Sequence, residues 1–229
     1  MTRRDEIEAN LQNVRAKIDS LNPKAKLIVV TKTFPISDLE ILYELGEREF
    51  GENRDQEATE KVKQLPGDIN WHFQGQIQSN KIKSIASWAN VIHSIDEEKQ
   101  ITKFADSGKK LELFLQVNLQ ANLSTAGNEM NADNARGGAN PKDLTQLAEL
   151  VNKFPNLHLL GLMAVAPLDE APDQAFGRLS QIFKSFQQSF PKAQYLSAGM
   201  SFDFESALNH GATHVRIGSS ILGKRELPF

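Results

Sequence analysis

The sequence of 229 residues contains no cysteine, which excludes disulfide bonds, thiolate nucleophiles and cysteine-based metal sites. This absence fits a reducing compartment, so we expect a cytoplasmic protein. No apolar stretch is long enough to span a bilayer, and the N-terminus has the pattern of an amphipathic helix rather than of a signal peptide. There is also no long cluster of Lys and Arg, and the formal net charge of -3 gives no indication of nucleic-acid binding. Composition therefore predicts a soluble globular protein with neither a membrane nor a nucleic-acid partner.

Short apolar runs alternate with helix-period segments along the chain. An N-terminal helix is indicated by Ile7, Leu11, Val14, Ile18 and Leu21, and further helices by the apolar spacing over 36–45, 144–154 and 176–186. The strand candidates are 27–32, 48–53, 69–75, 90–95, 111–118, 157–165, 194–199 and 213–218. This alternation predicts an α/β fold, a single TIM-type (β/α)8 barrel with an extra N-terminal helix. An open doubly wound sheet is the alternative.

We expect one domain over residues 1–229, in which the N-terminal helix covers the gap left by the short segment after the last strand. Residues 120–141 interrupt the pattern, because they are rich in Asn, Gly, Ala and Ser and have no apolar period. Such a segment predicts a long flexible loop after the fifth strand. We see no long exposed apolar patch and expect a monomer.

Lys32 closes the run Leu27-Ile28-Val29-Val30-Thr31-Lys32, whose four consecutive apolar residues are typical of a strand buried on both faces. In a barrel, ligands bind at the C-terminal ends of the strands, which is where this lysine is placed. Burial lowers the pKa of an amine, so a lysine here could form a Schiff base with an aldehyde. The structural alternative is a strand-end lysine whose amine reaches solvent.

The loops after strands seven and eight, which favour phosphate in barrels, both combine glycine with serine. Gly199 and Ser201 follow the seventh strand, and Gly218 and Ser219 follow the eighth. Glycine lets the backbone approach a ligand, and backbone N–H groups at the start of a helix attract an anion. An ordinary N-cap and an ordinary turn are the alternatives for each loop alone, but together they predict a phosphate site.

Arg216 lies between Val215 and Ile217, so in a strand it points to the face opposite both. Near the barrel mouth that face is the ligand pocket; a salt bridge to a neighbouring carboxylate is the alternative. With Lys32 and the phosphate loops, the set offers an amine for an aldehyde, an arginine for a ring nitrogen and backbone groups for a phosphate. Pyridoxal 5′-phosphate (PLP) carries all three of these groups, so we expect PLP as the cofactor.

A family resemblance rests on short motifs in the right order between about residues 27 and 223. They are Val30-Thr31-Lys32-Thr33, Phe50-Gly51-Glu52-Asn53, Trp71-His72-Phe73-Gln74-Gly75 with Gln78-Ser79-Asn80-Lys81, His93-Ser94-Ile95, Gln116-Val117-Asn118, Gly161-Leu162-Met163-Ala164, Gly199-Met200-Ser201 with Asp203, and Val215-Arg216-Ile217-Gly218. The chain resembles the YggS/PROSC family of pyridoxal-phosphate homeostasis proteins, which are similar to the barrel domain of bacterial alanine racemase.

The resemblance implies a role for each matching position. Lys32 resembles the family's Schiff-base lysine, and Asn53 resembles the pocket asparagine near the cofactor. Ser201, Gly218 and Ser219 resemble the phosphate ligands, and Arg216 resembles the arginine that faces the pyridine nitrogen. Because arginine stays protonated, it leaves that nitrogen unprotonated, which makes the ring a weaker electron sink. We predict no metal ligands.

Two features of the sequence depart from the family or leave roles open. The family usually has Glu-x-x-Lys-x-Gly after strand five, where this sequence has Asn122, Thr125 and Gly127, so both charges are missing. His72 and His93 lie on strands near the mouth, where one could hydrogen-bond in the pocket; hydrogen-bonded core histidines are the alternative we favour.

Three functions remain open on the sequence. The first is a protein of intracellular PLP homeostasis that holds PLP on Lys32 without strong catalytic activity, with apo-enzymes as transient partners. The second is a weak PLP-dependent amino-acid racemase, which would need a tyrosine base; Tyr43 and Tyr195 are predicted on a helix and at the wrong end of strand seven. The third is a cofactor-free aldolase acting on a sugar phosphate through a Schiff base.

Overall fold

The computed structural model describes residues 2–120 and 137–224. Eight parallel strands close into a barrel in chain order, because β1 pairs with β2 on one side and with β8 on the other. The strands are β1 (Lys26–Val30), β2 (Glu49–Glu52), β3 (Asn70–Phe73), β4 (Val91–Ile95), β5 (Leu111–Val117), β6 (Leu157–Ala164), β7 (Tyr195–Ser197) and β8 (His214–Ile217). The predicted TIM-type barrel is confirmed, and the alternative of an open sheet is wrong.

Helices connect the strands and cover the barrel. Within the described ranges they are α1 (Arg3–Leu21), α2 (Ile36–Glu44), α3 (Asp55–Gln64), α4 (Ile82–Trp88), α5 (Glu98–Ala105), α6 (Leu144–Val151), α7 (Pro172–Ser189), α8 (Phe204–Asn209) and α9 (Ser219–Leu222). None of the helices in these ranges is both long and apolar enough to cross a membrane.

The N-terminal helix α1 closes the outside of the barrel beside the C-terminal segment, as predicted. Its first turn is fixed by a capping box, in which Thr2 and Asp5 exchange side-chain and backbone hydrogen bonds. Asn10 donates a hydrogen bond to the backbone oxygen of Ile221 at 3.0 Å. α9 has only four residues, and α1 covers the outside of the barrel beside it.

Residues of each strand point alternately into the barrel and out towards the helices, and this alternation positions the site. Outward residues such as Val29 belong to the large core between strands and helices. The inward side holds a smaller apolar core of Val91, Phe114, Leu160 and Met163. Along β1 the same alternation places Val30 and then Lys32 on the inner side, where both line a cavity.

Seven of the eight strands end one or two residues earlier than the sequence predicts, whereas β4 ends at Ile95 as predicted. β1 ends at Val30, so Lys32 lies in a turn beyond the strand rather than at its last position. β7 ends at Ser197, and Gly199 adopts a φ of 90°, a left-handed conformation that leaves the strand path. Most of the predicted 120–141 loop, including Asn122, Thr125 and Gly127, lies outside the described residues.

Candidate functional site

A cavity of about 660 Å³ opens at the C-terminal ends of the strands. This volume lies within the usual range of ligand pockets, roughly 300–1,000 Å³. All six residues predicted from the sequence line it: Lys32, Asn53, Ser201, Arg216, Gly218 and Ser219. They come from the ends of β1, β2 and β8 and from the loop after β7, so closure of the barrel brings together residues that are far apart in sequence.

The ionisable side chains that line the cavity, within the described residues, are all cationic. They are Lys32, Arg216 and Lys224. No carboxylate, histidine or tyrosine is found among the described residues that line the cavity. Apolar side chains, including Met163 and Val165, form part of the wall. This combination favours a ligand that carries negative charge and also has an apolar surface.

Lys32 lies in a strained turn that the rest of the barrel holds in place. The next residue, Thr33, has a φ of 69°, which is unusual for a β-branched residue and costs about 1–3 kcal/mol. The backbone N–H of Thr33 donates to Glu57, and the backbone oxygen of Thr31 accepts from Lys61 at 2.7 Å. Both flanks of Lys32 are therefore tied to helix α3.

Lys61 is the centre of this anchor. Its ammonium group is buried and also donates to Glu52 at 2.8 Å and to Glu57 at 2.6 Å, so all three of its protons have acceptors. Glu52 is fully buried and accepts a further hydrogen bond from the Thr31 hydroxyl at 2.7 Å. Burial raises the pKa of the Glu52 carboxyl, while Lys61 and Thr31 oppose that rise.

Arg216 is buried and holds its charge without an ion pair among the described residues. The predicted alternative of a salt bridge is therefore not found there. The guanidinium donates to Ser197 Oγ at 2.7 Å and to the backbone oxygen of Ala164 at 3.0 Å. Burial lowers the pKa of Arg216 to about 10, so the group stays protonated at neutral pH.

The loops after β7 and β8 meet at Ser201. Its hydroxyl accepts long hydrogen bonds from the backbone N–H groups of Gly218, at 3.3 Å, and Ser220, at 3.4 Å. A Cβ at Gly218 would lie 2.8 Å from the backbone oxygen of Val30, so only glycine fits there without a shift. The two predicted phosphate loops thus form one cluster of donors at the edge of the cavity.

Two buried polar atoms of the cavity wall have no hydrogen-bond partner in the described part of the chain: Asn53 Oδ1 and Gln74 Nε2. One is an acceptor and the other a donor, and an unpaired buried polar atom costs about 1–3 kcal/mol. Gln74 fits against β2 because Gly51 has no side chain; a Cβ there would lie 2.5 Å from the Gln74 amide. These atoms indicate a ligand with its own polar groups.

Sequence reasoning did not single out Gln74, Lys224 or Lys61 as site residues. Gln74 could have been found from strand alternation, since it lies just beyond β3 and two residues after the inward-facing His72. Lys61 lies three residues after the buried Ala58 on the inner face of α3, which is an unusual place for a charge. Lys224 is exposed but reaches the rim of the cavity.

His72 and His93 do not line the cavity. Both are buried inside the barrel below it, and their rings are joined by a hydrogen bond of 2.9 Å between His72 Nδ1 and His93 Nε2. They are the hydrogen-bonded core histidines that the sequence analysis favoured.

Comparison with known proteins identifies the family of the chain. The family described as alanine racemase, N-terminal domain, matches residues 3–226. A pyridoxal phosphate homeostasis protein of Corynebacterium glutamicum is 38% identical over 213 residues, covering 88% of this chain and 91% of that protein. One from Schizosaccharomyces pombe is 37% identical over 229 residues, covering 96% and 93%.

Solved structures of related proteins have the same fold and support the same family. PipY, the COG0325 family member of Synechococcus elongatus PCC7942, has been solved with PLP bound. It superposes with a TM-score of 0.80 at 29% sequence identity, covering 95% of this chain and 100% of that one. Lysine decarboxylase from Selenomonas ruminantium, at 14% identity and a TM-score of 0.70, shares the fold alone. The chain described here therefore belongs to the YggS/PROSC family of pyridoxal phosphate homeostasis proteins.

Proposed function

We propose that this protein binds PLP in the cavity at the C-terminal end of the barrel and serves intracellular PLP homeostasis. The observation that carries the proposal is the convergence of Lys32, Arg216 and the Ser201 cluster on one cavity. The names of the family members at 37–38% identity and the PLP-bound structure of PipY support it.

The residues of the cavity fit PLP. When bound, PLP supplies an aldehyde that forms a Schiff base with a primary amine, together with a pyridine ring and a phosphate. Lys32 provides the amine, Arg216 a buried donor for the ring nitrogen, and the Ser201 cluster the donors for the phosphate. The unpartnered Asn53 Oδ1 and Gln74 Nε2 remain for the polar groups of the ring.

The absorption spectrum of the purified protein with added PLP tests this function. We expect a visible band for the Schiff base, which borohydride should reduce to a stable adduct on the peptide containing Lys32. A protein that gains no such band, and carries no adduct after reduction, would contradict PLP binding through Lys32.

Replacement of Ser201 by alanine should reduce the preference for PLP over pyridoxal, which lacks the phosphate. Ser201 Oγ is the point where two backbone N–H groups converge, so its hydroxyl can share a phosphate with them. Loss of one hydrogen bond to a charged group corresponds to roughly a tenfold change. Competition titrations with both ligands measure the ratio, and Ser87→Ala on the outside of α4 is the matched control. An equal loss of affinity for both ligands would place the phosphate elsewhere.

We propose that the protein holds PLP without strong catalytic activity. Racemisation needs two proton-transfer groups on opposite faces of the substrate. Tyr43 hydrogen-bonds Asp68 on the exterior at 2.9 Å, and Tyr195 lies at the exposed start of β7, so neither lines the cavity. Exchange of the Cα proton of alanine in deuterated water tests the alternative of a weak racemase, and clear turnover would contradict a purely binding role.

We further propose a monomeric, cytoplasmic protein of one domain that passes PLP transiently to apo-enzymes. The lack of cysteine supports the compartment. Two of the exposed large apolar side chains, Phe202 at 97% and Met200 at 36%, lie at the edge of the cavity, where a recipient would approach. The cofactor-free aldolase is less favoured, because a cofactor-free reaction gives no role to the buried donor Arg216.

A further inference from the structure

A continuous chain of hydrogen bonds runs through the inside of the barrel from its N-terminal end to the cavity. Glu49 Oε2 lies 2.6 Å from His72 Nε2, and His72 Nδ1 lies 2.9 Å from His93 Nε2. His93 Nδ1 lies 3.0 Å from Ser197 Oγ, and that oxygen accepts from Arg216 at 2.7 Å. Five side chains thus connect the far end of the barrel to a residue of the cavity wall.

The five side chains meet because each occupies an inward position on its own strand. They belong to β2, β3, β4, β7 and β8, and closure of the sheet brings these strands around one interior. His93 also stacks on Phe114 with ring centroids 4.6 Å apart, which fixes the plane of its imidazole. His72, His93, Ser197 and Arg216 are buried, whereas the Glu49 side chain is 22% exposed and also pairs with Lys26.

Glu49 determines the direction of the hydrogen bonds between it and Ser197. An ionised carboxylate can only accept, and a neutral imidazole has one donor nitrogen and one acceptor nitrogen. His72 Nε2–H must therefore donate to Glu49, His93 Nε2–H to His72 Nδ1, and Ser197 to His93 Nδ1, while Ser197 Oγ accepts from Arg216. This arrangement satisfies all ring nitrogens with two neutral imidazoles in the same tautomer.

The charge states agree with this direction. Burial lowers the pKa of His93 well below its usual value, and the neighbouring His72 and Arg216 lower it further. Burial also lowers the pKa of His72, against the opposing hydrogen bond to Glu49. Burial alone would raise the pKa of Glu49, but the hydrogen bonds from His72 and Lys26 outweigh it and hold that pKa at about 2. The hydrogen-bond chain is therefore neutral at His72, His93 and Ser197, positive at Arg216 and negative at Glu49.

A buried guanidinium needs a counter-charge. Within the described residues Arg216 has no carboxylate in hydrogen-bond contact, and Asp203 is the carboxylate whose charge opposes the lowering of its pKa by burial. Aligned hydrogen bonds polarise one another in a medium of low dielectric constant, so they can transmit part of the charge of Glu49 to the other end. The chain also fixes one edge of the guanidinium, because Ser197 is itself fixed by His93.

We propose that Ser197, His93, His72 and Glu49 are positioning residues for Arg216, which orient its guanidinium as a donor towards the cavity and add to its counter-charge. Affinity for a ligand with a ring-nitrogen acceptor then depends on a carboxylate at the opposite end of the barrel. This inference rests on the proposed function, in which the cavity takes PLP.

The test compares PLP with its carbocyclic analogue, in which CH replaces the ring nitrogen and the aldehyde, hydroxyl and phosphate are kept. The wild-type protein should bind PLP more tightly than the analogue. Glu49→Gln retains an acceptor but loses the charge, and should reduce this preference by about fivefold, the size of one ordinary hydrogen bond. His93→Phe keeps the ring stacked on Phe114 but breaks the chain, and should reduce the preference at least as much.

Glu112→Gln is the matched control. Glu112 lies exposed at the start of β5, close enough to affect His72 electrostatically, but it forms no hydrogen bond with the chain in the part of the protein described. The Glu112→Gln variant loses one negative charge at the same end of the barrel as Glu49→Gln, and it should leave the preference for PLP over the carbocyclic analogue unchanged. A general loosening of the barrel would weaken both ligands equally, so an unchanged preference in Glu49→Gln and His93→Phe would overturn the inference.

The ligand-free protein gives an independent readout through the ring ¹⁵N shifts of its histidines. Both His72 and His93 should be neutral and protonated at Nε2 between about pH 6 and pH 8, since buried neutral imidazoles do not titrate there. Protonation at Nδ1, or a charged ring, would overturn the directed chain. A protein that binds neither ligand but shows the expected tautomers would contradict the proposed function and leave the directed chain standing.

Discussion

Replacing Lys32 by alanine is expected to abolish covalent attachment of PLP while the barrel stays folded. Lys32 is one of two lysines in the described residues that line the cavity, and its turn is anchored on both sides by α3. Its own side chain is only partly buried, so its removal should change the free energy of unfolding little. The visible band and the borohydride-stable adduct should both disappear, as measured by absorption and by mass spectrometry of the intact protein.

Lys224→Ala is the matched control for this prediction. Lys224 lines the same cavity but lies exposed at its rim, so its loss should leave the Schiff base in place. Non-covalent binding through Arg216 and the Ser201 cluster should persist in Lys32→Ala, with lower affinity. An adduct of unchanged yield in Lys32→Ala, or one that maps to Lys224 in the wild-type protein, would contradict the assignment.

The barrel could be predicted from the sequence because the patterns that indicate its strands and helices are local. Runs such as Leu27–Val30 are apolar on both faces, and helix-period segments separate them, so the type and order of the elements could be inferred without long-range information. Strand ends were predicted less well, since they depend on backbone strain. Thr33 has a left-handed φ of 69°, which its β-branched side chain argues against, and the contacts with α3 that hold it are not visible in the local sequence.

The candidate site was predicted to the extent that its residues lie in strand-end motifs. Lys32, Ser201 and Gly218 each follow an apolar run, so the barrel model alone places them at one end. The contacts among the supporting residues were not predicted, for a different reason. His93 and Ser197 are 104 residues apart, and they meet only because barrel closure and strand register bring both to the same interior level. No local pattern contains that information.

Replacement of Lys61 by methionine should destabilise the protein strongly. The contacts of Lys61 with Glu52 and Thr31 are also tertiary contacts that no local sequence pattern predicts. Methionine keeps the apolar part of the side chain, but Glu52 is left fully buried without its positive partner. Glu57 is 24% exposed and can turn towards water, whereas Glu52 cannot. Removal of one member of a buried ion pair costs about 3–5 kcal/mol, and chemical denaturation should show a loss of this order.

The loss should depend on pH, and its sign follows from Glu52. Burial already raises the pKa of Glu52, and without Lys61 the largest opposing influence is gone. The folded variant then binds a proton that the unfolded chain releases near the ordinary glutamate pKa of about 4.3. Stability of Lys61→Met should therefore fall as the pH rises from that value towards the raised pKa of the folded state, so the variant should be less destabilised at about pH 5 than at about pH 8.

Two further variants separate charge burial from helix effects. Lys63→Met makes the same change on the same helix, but Lys63 and its partner Glu60 are 63% and 65% exposed, so stability should hardly change. Glu52→Gln combined with Lys61→Met removes both buried charges and should recover much of the lost stability, with little dependence on pH.

Because Lys61 also holds Thr31 beside Lys32, the single variant Lys61→Met should bind PLP more weakly even where it remains folded. If the double variant is as unstable as Lys61→Met at both pH values, the cost does not arise from the buried charge of Glu52, and α3 anchors the Lys32 turn by packing alone.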